Sequence, residues 1–317
     1  MNCKMKKTIN LAAALGAITL LAGCTENIPS GIEKEYSEAL LTVAISPSST
    51  KFNADEESAI SGIQIFVFDS KGDFETKKSG DSPVLELSCT QGRKTIWALA
   101  AAPSLNPATE RELLETVTRL EDNAPGAFVM SGSRSLEVSG STSVEITIKR
   151  YVARVSLGRI TNSLSGVYAS REFVVRGVYL TNVAGNTTYG LSAPTLWYNK
   201  MGKDSNPAET LISCSGVSDG EYTFYPYPNP SESDASGGTW SSRHTKLVVE
   251  ASIGGAICYY PIVLPVLQRN KTYTITELTV TMPGSDNPDI PIDKGSLNFN
   301  ILVEDWETGQ APHSEII

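Results

Sequence analysis

Hydrophobic and polar positions alternate along most of this chain. Ala39, Leu41, Val43 and Ile45 fall on one side of a segment and Leu40, Thr42 and Ala44 on the other, the period of a strand. Pro47-Ser48-Ser49-Thr50-Lys51 closes that strand as an exposed loop. Ile63, Ile65 and Val67, with Phe66 and Phe68, predict a second strand ending at the turn Asp69-Ser70-Lys71-Gly72. Val84, Leu85 and Leu87 begin a third, and the continuous apolar run from Thr95 to Ala100 suits a buried central strand. The Met130 region and Ser143 to Ile148 read as further strands. The second half repeats this texture in Phe173 to Leu180, Lys246 to Ser252, Ile257 to Leu264, Thr272 to Met282 and Leu297 to Val303. Many short strands punctuated by turns predict an all-β chain of β-sandwiches.

One segment follows a helical period. Pro107 precedes Thr109-Glu110-Arg111-Glu112, and Leu113, Leu114, Val117 and Leu120 recur at helical spacing, so a helix is expected from Glu110 to Leu120. Its first turn is acidic, which suits the positive end of the helix dipole. Tyr225-Pro226-Tyr227-Pro228-Asn229-Pro230 is expected to be irregular, because proline lacks the amide hydrogen that regular structure needs.

The N-terminus has a different pattern. Lys4, Lys6 and Lys7 precede an apolar run from Ile9 to Leu21, and Leu21-Ala22-Gly23-Cys24 follows, the layout of a secretory signal. As a helix that run spans about 20 Å, short of the roughly 30 Å hydrocarbon core of a bilayer. Leu21 to Cys24 resembles a bacterial lipobox, which implies cleavage between Gly23 and Cys24 and acylation of Cys24. Several acyl chains give stable anchoring where one is marginal. The expected divisions are a signal peptide at 1–23, a tether at 24–35, an N-terminal β-sandwich at 36–148 and a C-terminal β-sandwich at 149–317.

Composition then narrows the function. A chain of 317 residues suggests about two domains. With 40% hydrophobic and 19% charged residues it is neither a disordered chain nor a polytopic membrane protein. The formal charge is −9, and removing Lys4, Lys6 and Lys7 with the signal takes it to 23 − 35 = −12. A nucleic-acid partner calls for the opposite sign, so none is expected. His244 and His313 are the only histidines, which argues against most histidine catalysis and zinc binding. No nucleophile elbow, phosphate loop, dinucleotide fingerprint or Cys-x-x-Cys pair occurs, so no catalytic residue, metal or cofactor is expected.

The remaining candidates read as structural. His244, in a Ser-rich loop, is expected at the surface, and Asp286, Asp289 and Asp293 as a solvated turn rather than a calcium site. Trp97, Trp197, Trp240 and Trp306 are expected as buried sandwich aromatics, with a glycan-stacking face at Trp197–Trp240 as the alternative. With Cys3 discarded and Cys24 lipidated, Cys89, Cys214 and Cys258 allow at most one disulfide, and Cys89 and Cys258 read as small buried hydrophobes.

Several segments, in order, resemble the FimA-type fimbrillins, the lipoprotein precursors of type V pili. Ala39-Leu40-Leu41-Thr42-Val43-Ala44-Ile45 is similar to the family's first strand, and Cys89-Thr90-Gln91-Gly92 to its Cys-x-x-Gly strand entry. The helix at Glu110 falls where the family has one, and Lys149-Arg150-Tyr151-Val152-Ala153-Arg154 resembles the start of its C-terminal domain. Arg269-Asn270-Lys271-Thr272-Tyr273 leading into Met282-Pro283-Gly284-Ser285-Asp286-Asn287-Pro288 is the most specific match, and Leu297 to Trp306 is similar to the closing strand.

The resemblance implies two tandem transthyretin-like, Greek-key sandwiches and a non-catalytic role. It implies an outer-membrane lipoprotein precursor from which a surface protease removes the lipidated first strand. A C-terminal strand of an identical or related subunit then fills the vacated groove. On this reading Ala39, Leu41, Val43 and Ile45 form the displaced strand, and Leu297, Phe299, Ile301 and Val303 the donor candidate. The family is cut after an arginine in the loop that follows the first strand. Here the first arginine is Arg93, and the loop holds Lys51 followed by Phe52. The maturation site is therefore expected at Lys51–Phe52, and an uncut anchor or tip subunit is the alternative. The receptor is not legible.

Overall fold

A computed structural model describes residues 37–47, 57, 59–201, 213–214, 221–234, 241–292 and 295–306. The first part of the chain supplies β1 (Glu38–Pro47), β2 (Ile63–Phe68), β3 (Phe74–Gly80), β4 (Val84–Thr90) and β5 (Gly92–Ala100). Helix α1 (Glu110–Glu115), β6 (Val117–Arg119), β7 (Met130–Val138) and β8 (Ser141–Arg150) follow. Seven of these strands form one hydrogen-bonded path, β3-β2-β5-β7-β8-β1-β4. The path folds over on itself between β7 and β8, which pair only through Met130–Arg150 and Ser131–Lys149. Gly132 sits at that corner, where an added Cβ would lie 2.2 Å from the Thr147 carbonyl oxygen. The apolar sides of the two layers share one buried core, with Ile65, Val67, Ile96 and Ala98 on one side and Leu41, Val43 and Ile146 on the other.

Strand β5 lies between β2 and β7, as expected of a continuous apolar run. Strand β2 is buried at every position. Its one polar residue, Gln64, is satisfied by donating to the carbonyls of Ala102 and Pro103 and accepting from the Leu105 amide. Strand β3 reads as polar in the sequence (Phe74-Glu75-Thr76-Lys77-Lys78-Ser79-Gly80), yet it pairs with β2 along its length.

The helix is shorter than its periodicity suggests. Thr109 caps it, accepting from the Glu112 amide, and Thr116 ends it in an extended conformation. Val117–Arg119 then pairs with Asn186–Thr188, so Val117 is exposed instead of helical and inward-facing. A run of β-branched residues, Thr116, Val117 and Thr118, favours that switch to strand.

The rest of the chain supplies β9 (Arg154–Asn162), β10 (Phe173–Thr181), β11 (Val183–Ala184), β12 (Asn186–Thr188), β13 (Trp197–Tyr198) and β14 (Ser213–Cys214). Then come β15 (Tyr222–Phe224), β16 (Lys246–Ile253), β17 (Ala256–Val263), β18 (Lys271–Val280), β19 (Leu297–Asn298) and β20 (Leu302–Asp305). One sheet runs β15-β9-β18-β19, with β20 also on β18, and another runs β14-β10-β16-β17. Val155, Leu157, Ile275 and Leu278 of the first are buried in one core with Leu247, Val249 and Tyr260 of the second. Ser37–Ile317 forms a single unit, and the other unit, Met1–Tyr36, lies outside the described residues.

Asp289 departs from the expected solvated turn. It joins Asp234 in a cage around Arg243 and Lys246, both almost fully buried. Lys246 Nζ reaches Asp289 Oδ1 at 2.8 Å and Asp234 Oδ2 at 2.7 Å, and Arg243 Nη1 reaches Asp289 Oδ2 at 2.9 Å. A buried ammonium is tolerable only with such partners, so the cations draw the acidic turn inward.

Candidate functional site

Strand β1 lies between two neighbours of opposite sense. It pairs antiparallel with β4 through Ala39–Cys89, Leu41–Leu87 and Val43–Leu85. It pairs parallel with β8 through Val43–Val144 and Ile45–Ile146. The interior rows of the three strands are therefore in register. Ala39, Leu41, Val43 and Ile45 are all buried, Leu41 completely, whereas Leu40 on the opposite face is 44% exposed. The alternation read from the sequence thus becomes an inward apolar face held by backbone ladders on both sides.

This arrangement makes β1 a wedge and not an edge strand. Taking it out would unpair the facing edges of β4 and β8 together. It would also uncover Leu85, Leu87 and Cys89 on one wall and Val144, Ile146 and Ile148 on the other. Leu41, Val43 and Ile45 each contribute roughly 2 kcal/mol by burial, so the vacated slot has a strong requirement for another apolar strand.

The C-terminal candidate is placed elsewhere, along β18. Leu297 is buried and pairs with Val280, and Val303 pairs with Tyr273. The expected single strand is broken between these points: Phe299 is 38% exposed, and only β19 and β20 are regular. Asn298 and Asn300, on either side of Phe299, favour that interruption. A cavity of about 450 Å³ opens beside the break, lined by Phe299, Ile301, Val303, Val263, Thr274 and His244, among others. The donor candidate and β1 are therefore not brought together within one chain.

The remaining expectations fall as follows. Gly23, Cys24, Lys51, Phe52, Trp240, Asp293 and His313 lie outside the described residues. Arg93 is in β5, paired with Glu137 of β7, where a cut would enter a central strand. His244 is half-buried, with a buried Nδ1, instead of lying on the surface. Trp197 is buried and presents no face to a sugar. Cys89 and Cys258 are buried free thiols, and burial pushes the Cys89 thiol up, helped by the nearby Glu75 charge. Among the described residues no group of His, Cys, Asp and Glu side chains could hold a metal. No helix among them is long and apolar enough to cross a membrane.

Residues 39–152 match the family model described as major fimbrial subunit protein (FimA). That stretch runs from the start of β1 to just past the end of β8. A candidate cell adhesion protein from Bacteroides eggerthii DSM 20697 has a similar structure, with TM-score 0.65 at 15% identity over 86% of this chain and 97% of that one. The fimbrilin of Porphyromonas gingivalis W83 superposes with TM-score 0.63 at 14% identity, over 84% of this chain and 97% of that one. The tip fimbrial protein Mfa3 of Porphyromonas gingivalis, C-terminally truncated, gives TM-score 0.55 at 14% identity, over 85% and 100%. At such identities the likeness establishes the fold. No curated protein sequence matches the chain.

Proposed function

We propose that this chain is the precursor of a structural fimbrial subunit that assembles on the cell surface by exchanging strands with copies of itself or with related subunits. The observation that carries the reading is the placement of β1, within a stretch matching a fimbrial subunit family, as an apolar wedge between β4 and β8. A groove with two unpaired edges and an apolar floor is a natural acceptor for an added strand. We take residues 36–148 as the acceptor domain and 149–317 as the domain carrying the donor strand, Leu297, Phe299, Ile301 and Val303. Cys24 carries lipid that holds the precursor at the outer membrane until a cut between Lys51 and Phe52 releases β1. The role is one of adhesion and requires no catalysis.

N-terminal sequencing of surface-extracted protein tests the processing step. A start at Phe52 supports a processed stalk subunit. A start at lipidated Cys24 overturns it in favour of an uncut anchor. That second reading has its own support: no arginine stands in the loop after β1, and the first one, Arg93, is built into β5.

A further inference from the structure

Three segments distant in sequence meet at Arg150, the last residue of β8. Arg150 is 1% exposed and lies deeper than any surface role requires. Its Nε and Nη2 donate to the Glu57 carbonyl oxygen at 3.0 and 2.7 Å. Its guanidinium stacks over the Trp306 ring at 4.5 Å, and its amide donates to Asn270 Oδ1 at 3.2 Å. Burial pulls the Arg150 pKa down to about 10, while the charges of Glu57 and Tyr225 pull it back up. The arginine therefore depends on these few partners.

Glu57 is held in turn from its side chain. Its carboxylate pairs with Arg154 Nε at 3.2 Å and accepts from the Tyr225 hydroxyl. Tyr225 stacks parallel on Trp306, with ring centroids 5.8 Å apart, and Phe128 meets Trp306 edge-on at 5.5 Å. Trp306 follows β20 directly, and its amide donates to the Asn270 carbonyl. Glu57 lies shortly after the loop that ends β1. The chain leaving β1 and the chain leaving β20 thus rest on the same arginine and the same tyrosine.

We infer that this cluster is a latch coupling the two ends of the strand-exchange cycle: Glu57 fixes Arg150 and Tyr225, and these fix Trp306 and with it the C-terminal strand. The inference rests on the strand-exchange reading and names its regulation. While the loop is intact, Glu57 is tethered on both sides. A cut at Lys51–Phe52 leaves it tethered on one side only, near a new chain end, where fraying is easiest. Losing the Glu57 carbonyl leaves the buried guanidinium with one long hydrogen bond, from Nη1 to Asn270 Oδ1 at 3.4 Å, and water reaching it weakens the cation–π contact with Trp306. Besides the Trp306 contacts, strand β20 is held by its short ladder to β18 over Leu302–Asp305 and by the Lys271–Asp305 ion pair at 2.7 Å, and the segment before it is irregular. Removal of the acceptor's own strand thereby loosens the donor strand of the same subunit.

Hydrogen exchange on the uncut precursor tests the coupling. Glu57→Ala keeps the backbone carbonyl but removes the carboxylate that anchors Glu57 to Tyr225 and Arg154. It should therefore speed exchange of the β20 amides by about tenfold, the scale of one lost hydrogen bond to a charged group, while Leu247–Ala251 in β16 keep their rates. Glu57→Gln, which can still accept from Tyr225, should fall between the two. Unchanged β20 exchange in Glu57→Ala overturns the latch, as does an equal rise at every amide, which makes Glu57 a simple stabiliser. SDS-resistant ladders from the same proteins separate the two ideas. Ladders with unchanged β20 exchange defeat the latch and leave strand exchange standing. No ladders from any processed chain, with faster β20 exchange, do the reverse.

Discussion

At the scale of single residues, side-chain facing and charge partnering decide what each position is worth. Leu41 is completely buried between Leu87 and the opposite layer, so Leu41→Ala should cost about 3 kcal/mol in chemical denaturation. Leu40, on the other face, should change stability by less than about 0.5 kcal/mol when cut back to alanine. Equal losses at the two positions would contradict the assigned facing. This facing was legible in the sequence, because a period of two needs no tertiary knowledge. The Asp289 cage was not legible, because charge pairing across Asp234, Arg243, Lys246 and Asp289 depends on loops meeting in space. Burial alone would raise the Asp289 carboxyl, but hydrogen bonds and charge from Lys246 and Arg243 outweigh it and hold the group below its ordinary range. A carboxyl lowered on folding stabilises the native state above its unfolded pKa near 4, and that stability drains as pH falls through the lower folded value. Thermal unfolding should therefore show Asp289 contributing at pH 6 and fading below about pH 4. Asp289→Asn should cost about 3 kcal/mol at pH 6, because it leaves two buried cations short of a partner, and should flatten that acid limb.

At the scale of elements, the readings that failed share a cause. Helix periodicity ran on to Leu120, yet α1 stops at Glu115 because the next residues find a strand partner in Asn186–Thr188. Strand β3 was invisible because its sequence lacks an apolar face, and pairing with the buried β2 orders it. The C-terminal strand looked continuous by alternation, and the Asn298–Asn300 break appears only once β18 sets the register. Tertiary pairing decided the outcome each time, against local preference in β3 and with it at Thr116–Thr118 and at Asn298 and Asn300. Two local devices carry measurable weight. Thr109→Ala removes the cap on the Glu112 amide and should cost about 1 kcal/mol in equilibrium unfolding. Gly132→Val places carbon against the Thr147 carbonyl at the corner between β7 and β8, and should prevent recovery of soluble, folded protein. A folded Gly132→Val chain of wild-type stability would show that the corner tolerates a side chain.

At the scale of the whole molecule, strand periodicity was enough to place an all-β fold, and the resemblance of ordered segments to the FimA-type fimbrillins pointed to a family whose model matches residues 39–152. The junction at Arg150 lay beyond sequence reasoning, because Glu57, Arg150, Tyr225 and Trp306 come together only after β8 and β20 have docked. An acidic surplus, buried thiols and two histidines fit the proposed role of backbone pairing between subunits. The central claim is that the place of β1 is vacated and refilled by another subunit. Its most direct test is the length of SDS-resistant polymers grown from chains that begin at Phe52, with and without a peptide of the Glu38–Pro47 sequence. The peptide should refill the slot between β4 and β8 and shorten the polymers in proportion to its concentration, and a scrambled peptide should have no effect. Polymers whose length ignores the Glu38–Pro47 peptide would contradict the account.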